Sequence, residues 1–549
     1  MEKISPVQAF VQHAKATPDK IFLHQPYENE LVTVTYAEAL DHVIRLSQWL
    51  KRYPDNSHIA ILSLNCMHWF LTDLAIMLAG HVSIPIYPTS SSSSINQVLE
   101  HSGAKCLFLG KMPPEKAHFQ VVDTDLDVVS MYTKRDGHHD WETLGGEAIE
   151  ADSLTFPTLD DLASIVYTSG TTGLPKGVMI NYSSLAAVGE TIIDWIEVND
   201  SDRFISYLPL AHVAERAAVE MVSVYSGAEV FFVHSLDTFN EDVVRAQPTI
   251  FFGVPRIWIK FQQAIESKIS AGALKTILSI PFIGKRFAAK LRAKLGLGNV
   301  KIAVSGAAAL PKDIIHWYDN IGIPICEAYG MSESMGSATF NHPTNRRVGS
   351  VGTAVPGCDV EIRENDEVVY RTPCLMSGYY KEPTLTDQTI RDGWLYTGDT
   401  GYIDEDGFVF ITGRLKDLFK TQKGKYIAPL PIESELQPRS GCEQVCVIGA
   451  NLIQPVVIAP VIEKPTGDDL AKFEKTLAQV LAETNEHLPK HEKLSHWILV
   501  NEEWTPDNSL ITPTLKMRRA DIESRYDLLV RNAVKEPTVV QWLDTSKLD

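Results

Sequence analysis

Short apolar runs alternate with longer amphipathic stretches through about the first four hundred residues, and this alternation restricts the fold more than any other feature. HIAILSLN (58–65) precedes a helical pattern from about 66 to 79; SIPIY (83–87) precedes INQVLEHSG, and KCLFLG (105–110) follows it. RFISYL (203–208), AEVFFV (228–233), TIFFGV (249–254), VKIAVSG (300–306) and IPICEAYG (323–330) continue the series. Apolar runs of this length, separated by helices, predict parallel sheets covered on both faces. Ligands collect in such sheets at the carboxyl ends of the strands. After about residue 345 the texture changes to VGTAVPGCDVEIRENDEVVYR and GYIDEDGFVFITGR, which predict antiparallel β. Beyond GRLKD (413–417), the strands EQVCVIGA and PVVIAPVI accompany a helix near 467–487. A chain of 549 residues exceeds what one core serves, so at least two domains are expected. The expected class is α/β. A large N-terminal domain (1–413) of parallel-rich sheets with flanking helices carries a β-rich subdomain at about 345–413, and a small α+β C-terminal domain spans 414–549. The serine run TSSSSS (89–94) is expected to cap a helix beginning around Ile95.

At the end of the apolar run ASIVY (163–167) stands YTSGTTGLPKG (167–177), with three glycines, several hydroxyls and a lysine. Glycines let backbone approach a bulky anion, and loop N–H groups can converge on phosphate oxygens. Thr168, Ser169, Thr171 and Thr172 add hydroxyl donors around Gly170 and Gly173, and Lys176 adds a positive charge. Five residues after Gly170 stands Pro175, where the P-loop pattern requires glycine, so this loop belongs to another phosphate-directed class. A solvent-exposed turn rich in Ser and Thr is the alternative on composition alone.

The net charge of −19 opposes general nucleic-acid binding, which requires a basic surface. Seven cysteines without a CxxC pair suggest reduced thiols in a cytosolic compartment and no zinc framework. The first twenty residues lack the apolar core of a signal peptide, and LTDLAIMLAGHVSIPIYP (71–88) is broken by Asp73, His81 and two prolines. A soluble, cytoplasmic protein is therefore expected.

Four motifs appear in order: YTSGTTGLPKG; EAYGMSES (327–334); LYTGDTGYIDEDGFVFITGRLKD (395–417); and PTLKMRR (513–519). With them the chain resembles, over roughly residues 5–525, the adenylate-forming enzymes: acyl-CoA synthetases, firefly luciferases and the adenylation domains of peptide synthetases. The resemblance implies two half-reactions with ATP and CoA as co-substrates and Mg²⁺ as cofactor. A carboxylate attacks the α-phosphorus of ATP to give an acyl-adenylate and pyrophosphate; a thiol then displaces AMP. It places the ATP phosphates on Thr168, Ser169, Gly170, Thr171, Thr172, Gly173 and Lys176, with Mg²⁺ on Glu333 and Thr168. The adenine would lie between Tyr329 and the backbone of Ser305, Gly306, Ala307 and Ala308, beside Gly330, Met331 and Ser332. Ser332 departs from the usual threonine but keeps the hydroxyl. Asp399 would accept from the ribose hydroxyls, and Arg414 would reach the ribose or α-phosphate; a structural Asp–Arg pair closing a hairpin is the alternative.

Lys516 is implied as the adenylation lysine, an ammonium set between carboxylate and α-phosphate. The small C-terminal domain is implied to be mobile, rotating about Lys416 to bring Lys420 to the site and open a thiol tunnel at Gly424. Lys423 and Lys425 are candidates for the CoA phosphates or plain solvated charges. His212, in LPLAHVAERAAVE (208–220), would sit beside the carboxylate site, or simply cap a helix. Arg216, one turn on, either gates the acyl channel or pairs with a neighbouring carboxylate.

KYIAPLPIE, ITPTLKMRR, IPIYPTSSSSS and LPLAHVAER resemble most the long-chain fatty acyl-CoA synthetases, so the expected enzyme is an AMP-forming long-chain fatty acid:CoA ligase. The small residues of SGAAA leave space for an alkyl tunnel, or serve close strand–helix packing. Between Glu266 and Asp313 there are nine basic residues and no acidic one; this segment, 268–301 at its core, reads as a basic amphipathic helical insert that either meets an anionic membrane surface or is merely solvated. Other readings are an acyl-AMP ligase loading a carrier protein, a luciferase-like oxidase and a non-catalytic acyl- or nucleotide-binding homologue. The KGK element and the absence of a carrier domain after Lys516 favour CoA. Oligomeric state is left open, a dimer among the options.

Overall fold

Four near-continuous apolar strands build the centre of the largest sheet in this computed structural model, which describes residues 3–27, 30–116, 119, 126–146, 149–168, 175–450, 452–512 and 516–545. His58–Leu62 lies between Val82–Ile86 and Cys106–Leu109, all parallel, and Leu162–Thr168 joins beside Val82–Ile86 in the same direction. The strands are buried almost throughout because helices cover them. One covering helix, Met67–Leu78, is itself buried at all twelve positions, as its apolar circumference demands. Lys176–Asn181 then turns back antiparallel on Leu162–Thr168, and the sheet reaches eight strands.

Two further sheets follow the same logic. Arg203–Ser206, Glu229–Phe232 and Ile21–Pro26 run parallel, with Leu31–Thr35 antiparallel at the edge. Ile250–Gly253, Ile302–Ser305 and Ile325–Tyr329 also run parallel, before Thr339–Phe340 reverses. The expected parallel-rich α/β architecture is thus observed. The serine-run helix, Ser92–Ser102, starts three residues before the expected Ile95. Ser91 is its N-cap, accepting from the Ser94 N–H at 3.2 Å, so the serines supply the first turn as well as the cap.

The chain divides into two compact units: residues 1–308, 312–360 and 369–396, and residues 309–311, 361–368 and 397–549. In the second, the sheet order is Cys446–Ile448, Val456–Pro460, Trp497–Val500, Val540–Leu543. Its side chains feed two cores in strict alternation. Val447, Val457, Trp497 and Leu499 pack with the helices Pro429–Ser440 and Gly467–His487, while Cys446, Ile458, Ile498 and Val500 pack with Arg519–Ala533. All seven cysteines are buried free thiols. No described helix is long and apolar enough to cross a membrane.

Candidate active site

The stem of the glycine-rich loop is held from both sides. Thr168 ends one strand and pairs in register with Lys176, which begins the next. Gly177 lies so close to the hairpin's first strand that a Cβ there would meet Ile165 Cγ2 at 2.7 Å. Ser169, Gly170, Thr171, Thr172 and Gly173 lie outside the described residues.

From this stem a chain of contacts leads to Glu333. Lys176 Nζ stands 5.7 Å from the centre of the Tyr379 ring, and the Tyr379 phenol donates to Glu333 Oε1 at 2.6 Å. Burial first, and the neighbouring Glu333 carboxylate second, push the Tyr379 phenol far above its ordinary value, so it remains a donor. The Glu333 carbonyl accepts from the Met376 N–H at 2.8 Å, and the turn Ser332–Ser334 packs on the strand Lys176–Asn181. The turn is compressed enough that a Cβ at Gly330 would meet the Gly336 carbonyl carbon at 2.2 Å. Met331 N–H donates to Ser334 Oγ, whose hydroxyl is bonded to Tyr370 at 2.9 Å. Tyr329 meets the Tyr370 ring edge-on, centroids 6.3 Å apart.

The neighbouring strand end completes this surface. Ser305 pairs with Glu327, two residues before Tyr329, and the buried Ser305 Oγ has no hydrogen-bond partner among the described residues. Gly306 abuts Phe252 and the Ala328 carbonyl. Ala307 adopts a left-handed backbone, φ 68°, and Ala307 and Ala308 are exposed. A non-glycine residue held in that region stores strain, a feature that clusters at ligand sites.

His212 caps the short helix Val213–Glu215, its Nδ1 accepting from the Ala214 N–H at 3.1 Å. The helix then widens into a π-turn over Arg216–Met221. Of the two readings of Arg216, the structure carries the ionic one. The guanidinium is fully buried, donating to Asp73 at 2.6 Å, Glu220 at 3.1 Å and Ser164 Oγ at 2.8 Å. Burial, reinforced by Asp73, holds the Glu220 carboxyl well above the usual range, favouring its protonated form. Glu215, also fully buried, accepts from Tyr207 N–H at 3.0 Å and Asn65 Nδ2 at 3.3 Å; burial pushes it up to about 8. Asn65 in turn accepts from the Leu210 N–H, so this network shapes the loop leading to His212.

In the second unit Asp399 faces Arg414 across a hairpin, and Arg414 Nε lies 2.8 Å from Asp399 Oδ1. This is the Asp–Arg pair kept as the alternative, with the carboxylate buried and the guanidinium half exposed. Lys416 is exposed in the turn that follows. Lys420 starts a small hairpin, pairs with Tyr426 in register and lies over its ring at 5.6 Å. Gly424 turns the tip with φ 73°, between the exposed Lys423 and Lys425.

Lys516 is exposed and its backbone is tied to Thr512: Thr512 N–H donates to the Lys516 carbonyl at 2.8 Å, and Lys516 N–H donates to Thr512 Oγ1 at 3.1 Å. Three residues on, Arg519 clamps Glu433 bidentately at 2.5 and 2.9 Å and donates to the Val447 carbonyl, anchoring the start of the helix Arg519–Ala533 to the helix Pro429–Ser440. Tyr379 and the Glu433–Arg519 clamp were not among the expected site residues. Their partners lie 46 and 86 residues away in sequence, beyond any periodic signal.

The family model of the AMP-binding enzymes matches residues 10–380, and that of the AMP-binding enzyme C-terminal domain matches 416–536. The long-chain-fatty-acid–CoA ligase FadD15 of Mycobacterium bovis is 27% identical, with 94% of each chain covered. The fatty acyl-CoA synthetase A of Dictyostelium discoideum is 28% identical over 86% of this chain and 81% of its own. Among solved structures, the anthranilate CoA ligase AuaEII in complex with anthranoyl-AMP shares the fold, with a TM-score of 0.78 at 19% identity over 96% and 98% of the two chains. Both family models, matched in sequence order and together spanning most of the chain, assign it to the AMP-binding enzyme family, the adenylate-forming acyl-CoA ligases.

Proposed function

We propose that the chain is an AMP-forming ligase for long-chain fatty acids. It joins the acid to ATP as an acyl-adenylate with release of pyrophosphate, then passes the acyl group to the thiol of CoA with release of AMP. One observation carries the reading: Glu333 reaches the stem of the glycine-rich loop through Tyr379 and Lys176, so that carboxylate, phenol and ammonium converge where a polyphosphate would end. The names of the relatives, fatty-acid–CoA ligases from two distant organisms, support the fatty acyl substrate.

The donor chemistry of this region fits Mg²⁺: Glu333 and Thr168 offer only oxygen, and no described group of three or more His, Cys, Asp or Glu competes as a site for a softer metal. When bound, the ion would neutralise phosphate charge. The chain's own residues do the rest. Tyr379 orients Glu333, and Lys176 faces the phosphates. Tyr329 and the backbone at 306–308 receive the adenine, and His212 closes the carboxylate site. Asp399 takes the ribose hydroxyls, which requires the Arg414 guanidinium to shift from it or share it. Lys516 steadies the attacking carboxylate against the α-phosphate. After rotation about Lys416, Lys420, Gly424, Lys423 and Lys425 serve the CoA half-reaction.

The test supplies ATP, Mg²⁺ and a ladder of fatty acids with and without CoA. AMP release that requires CoA and peaks with long chains is expected. ADP as product would refute the reaction class, a short-chain or aromatic optimum the substrate, and CoA-independent accumulation of acyl-AMP the acceptor.

A further inference from the structure

The segment between Glu266 and Asp313, with nine basic residues and no acidic one, folds as a helical hairpin: Ala271–Ser279 packs on Ile283–Lys294. Leu274, Ala288 and Leu291 fasten it from one side. Gly284 permits the close crossing, since a Cβ there would meet the Leu278 carbonyl oxygen at 2.2 Å. The tip does the opposite of what a soluble turn does. Phe282 is 83% exposed, Ile283 56% and Ile280 41%, with polar or small residues absent from these positions. Phe282 is held in the left-handed region at φ 63°, unfavourable for a bulky side chain, and its ring gains no burial in return.

Behind this apolar tip stand Lys275, Lys285, Arg286, Lys290 and Lys294, all exposed, and among the described residues none of the five forms an ion pair. Arg292 and Lys301 differ, being tied to the Ile321 carbonyl and to Asp202. In a chain of net charge −19 this is a local concentration of positive charge, which attracts anionic surfaces.

We infer that the hairpin 271–294 is a membrane-docking element. Phe282, Ile283 and Ile280 enter the interfacial region of an anionic lipid leaflet while the five cations engage its headgroups. Apolar side chains at the point with lysine and arginine immediately behind match the layering of a bilayer surface, apolar within and anionic at the interface. A soluble acidic protein would use the charges but leave the three apolar side chains unexplained. The inference does not depend on the acyl substrate proposed above.

The experiment is co-sedimentation of the full chain with vesicles of phosphatidylcholine alone and of phosphatidylcholine with phosphatidylserine, at low and high salt. Binding is expected only to the anionic vesicles and is weakened by salt. Each basic side chain near such a surface is worth roughly a fivefold change in partitioning, so Lys285→Gln/Arg286→Gln should reduce binding about 25-fold. Phe282→Ser/Ile283→Ser should also weaken it while leaving the unfolding temperature unchanged, because these side chains are exposed. Three results would overturn the inference: no binding to anionic vesicles at low salt, full binding by either variant, or tight binding to soluble polyglutamate with none to vesicles.

Discussion

Arg216→Met tests the buried ionic cluster most directly. The substitution keeps an apolar stem of similar length and removes the one positive charge facing Asp73 and Glu220, all three fully buried. Burial raises the Glu220 carboxyl well above its ordinary value, so Arg216 balances chiefly Asp73. Without the guanidinium, Asp73 must be buried as an anion or take up a proton. The second option caps the penalty. Neutralising an aspartate whose ordinary pKa is about 3.9 takes roughly 4 kcal/mol at pH 7 and roughly 1.5 kcal/mol at pH 5, at about 1.4 kcal/mol per unit. The pH 7 figure lies within the range of about 3–5 kcal/mol for breaking a buried pair from one side. The sign follows from the proton count. In the variant, native Asp73 is raised above its unfolded value, so the deficit is small at low pH and grows as pH rises. For a unit of roughly 400 residues, with an unfolding entropy of about 2 cal/mol/K per residue, the melting temperature should fall by about 5 °C at pH 7 and about 2 °C at pH 5. Scanning calorimetry of wild type and variant across that range is the assay. Asp73→Asn in the Arg216→Met background should recover most of the loss at pH 7. A deficit independent of pH, or one under about 1 kcal/mol at pH 7, would refute the charge balance.

Glu215→Gln should flatten the pH dependence of stability. The wild-type carboxyl, raised to about 8, contributes stability that is full below its unfolded value and lost as pH climbs through 8; urea unfolding at pH 6 and pH 8 should show wild type losing stability relative to the variant. Tyr379→Phe removes the phenol hydrogen bond to Glu333, and a bond to a charged group is worth about 1.5–3 kcal/mol, so kcat/KM for adenylation should fall roughly 10- to 150-fold while the fold is kept; unchanged ATP-pyrophosphate exchange would remove Tyr379 from the site. Lys516→Ala should lower adenylation by on the order of 10²–10³ yet leave thioester formation from supplied acyl-AMP largely intact, and equal loss of both half-reactions in a folded variant would end the division between Lys516 and Lys420.

The strands that carry site residues were legible because each is an apolar run too continuous for a half-exposed strand, and the loops after them were legible because glycine and hydroxyl residues crowd their ends. Glu333, Tyr329 and Gly330 could be placed on one turn because they are neighbours in sequence. Their support could not. Tyr379 reaches Glu333 from 46 residues away, and Asp73 reaches Arg216 across 143. A lone tyrosine or a lone aspartate inside an apolar helix looks the same whether or not a partner faces it. Arg216 illustrates the limit: its helical spacing to His212 suggested a shared face, but a guanidinium in a gate and one locked between carboxylates leave the same trace in the chain.

Order along the backbone therefore determined the parallel α/β class, the succession of motifs and the basic insert. Tertiary structure alone decided which charges neutralise one another, that Tyr379 orients Glu333, and that the basic insert offers Phe282 and Ile283 to solvent. Periodicity records which face of an element is apolar. Pairing of buried charges, and the exposure of a turn, depend on what packs against that face from distant sequence, and no local pattern contains that information.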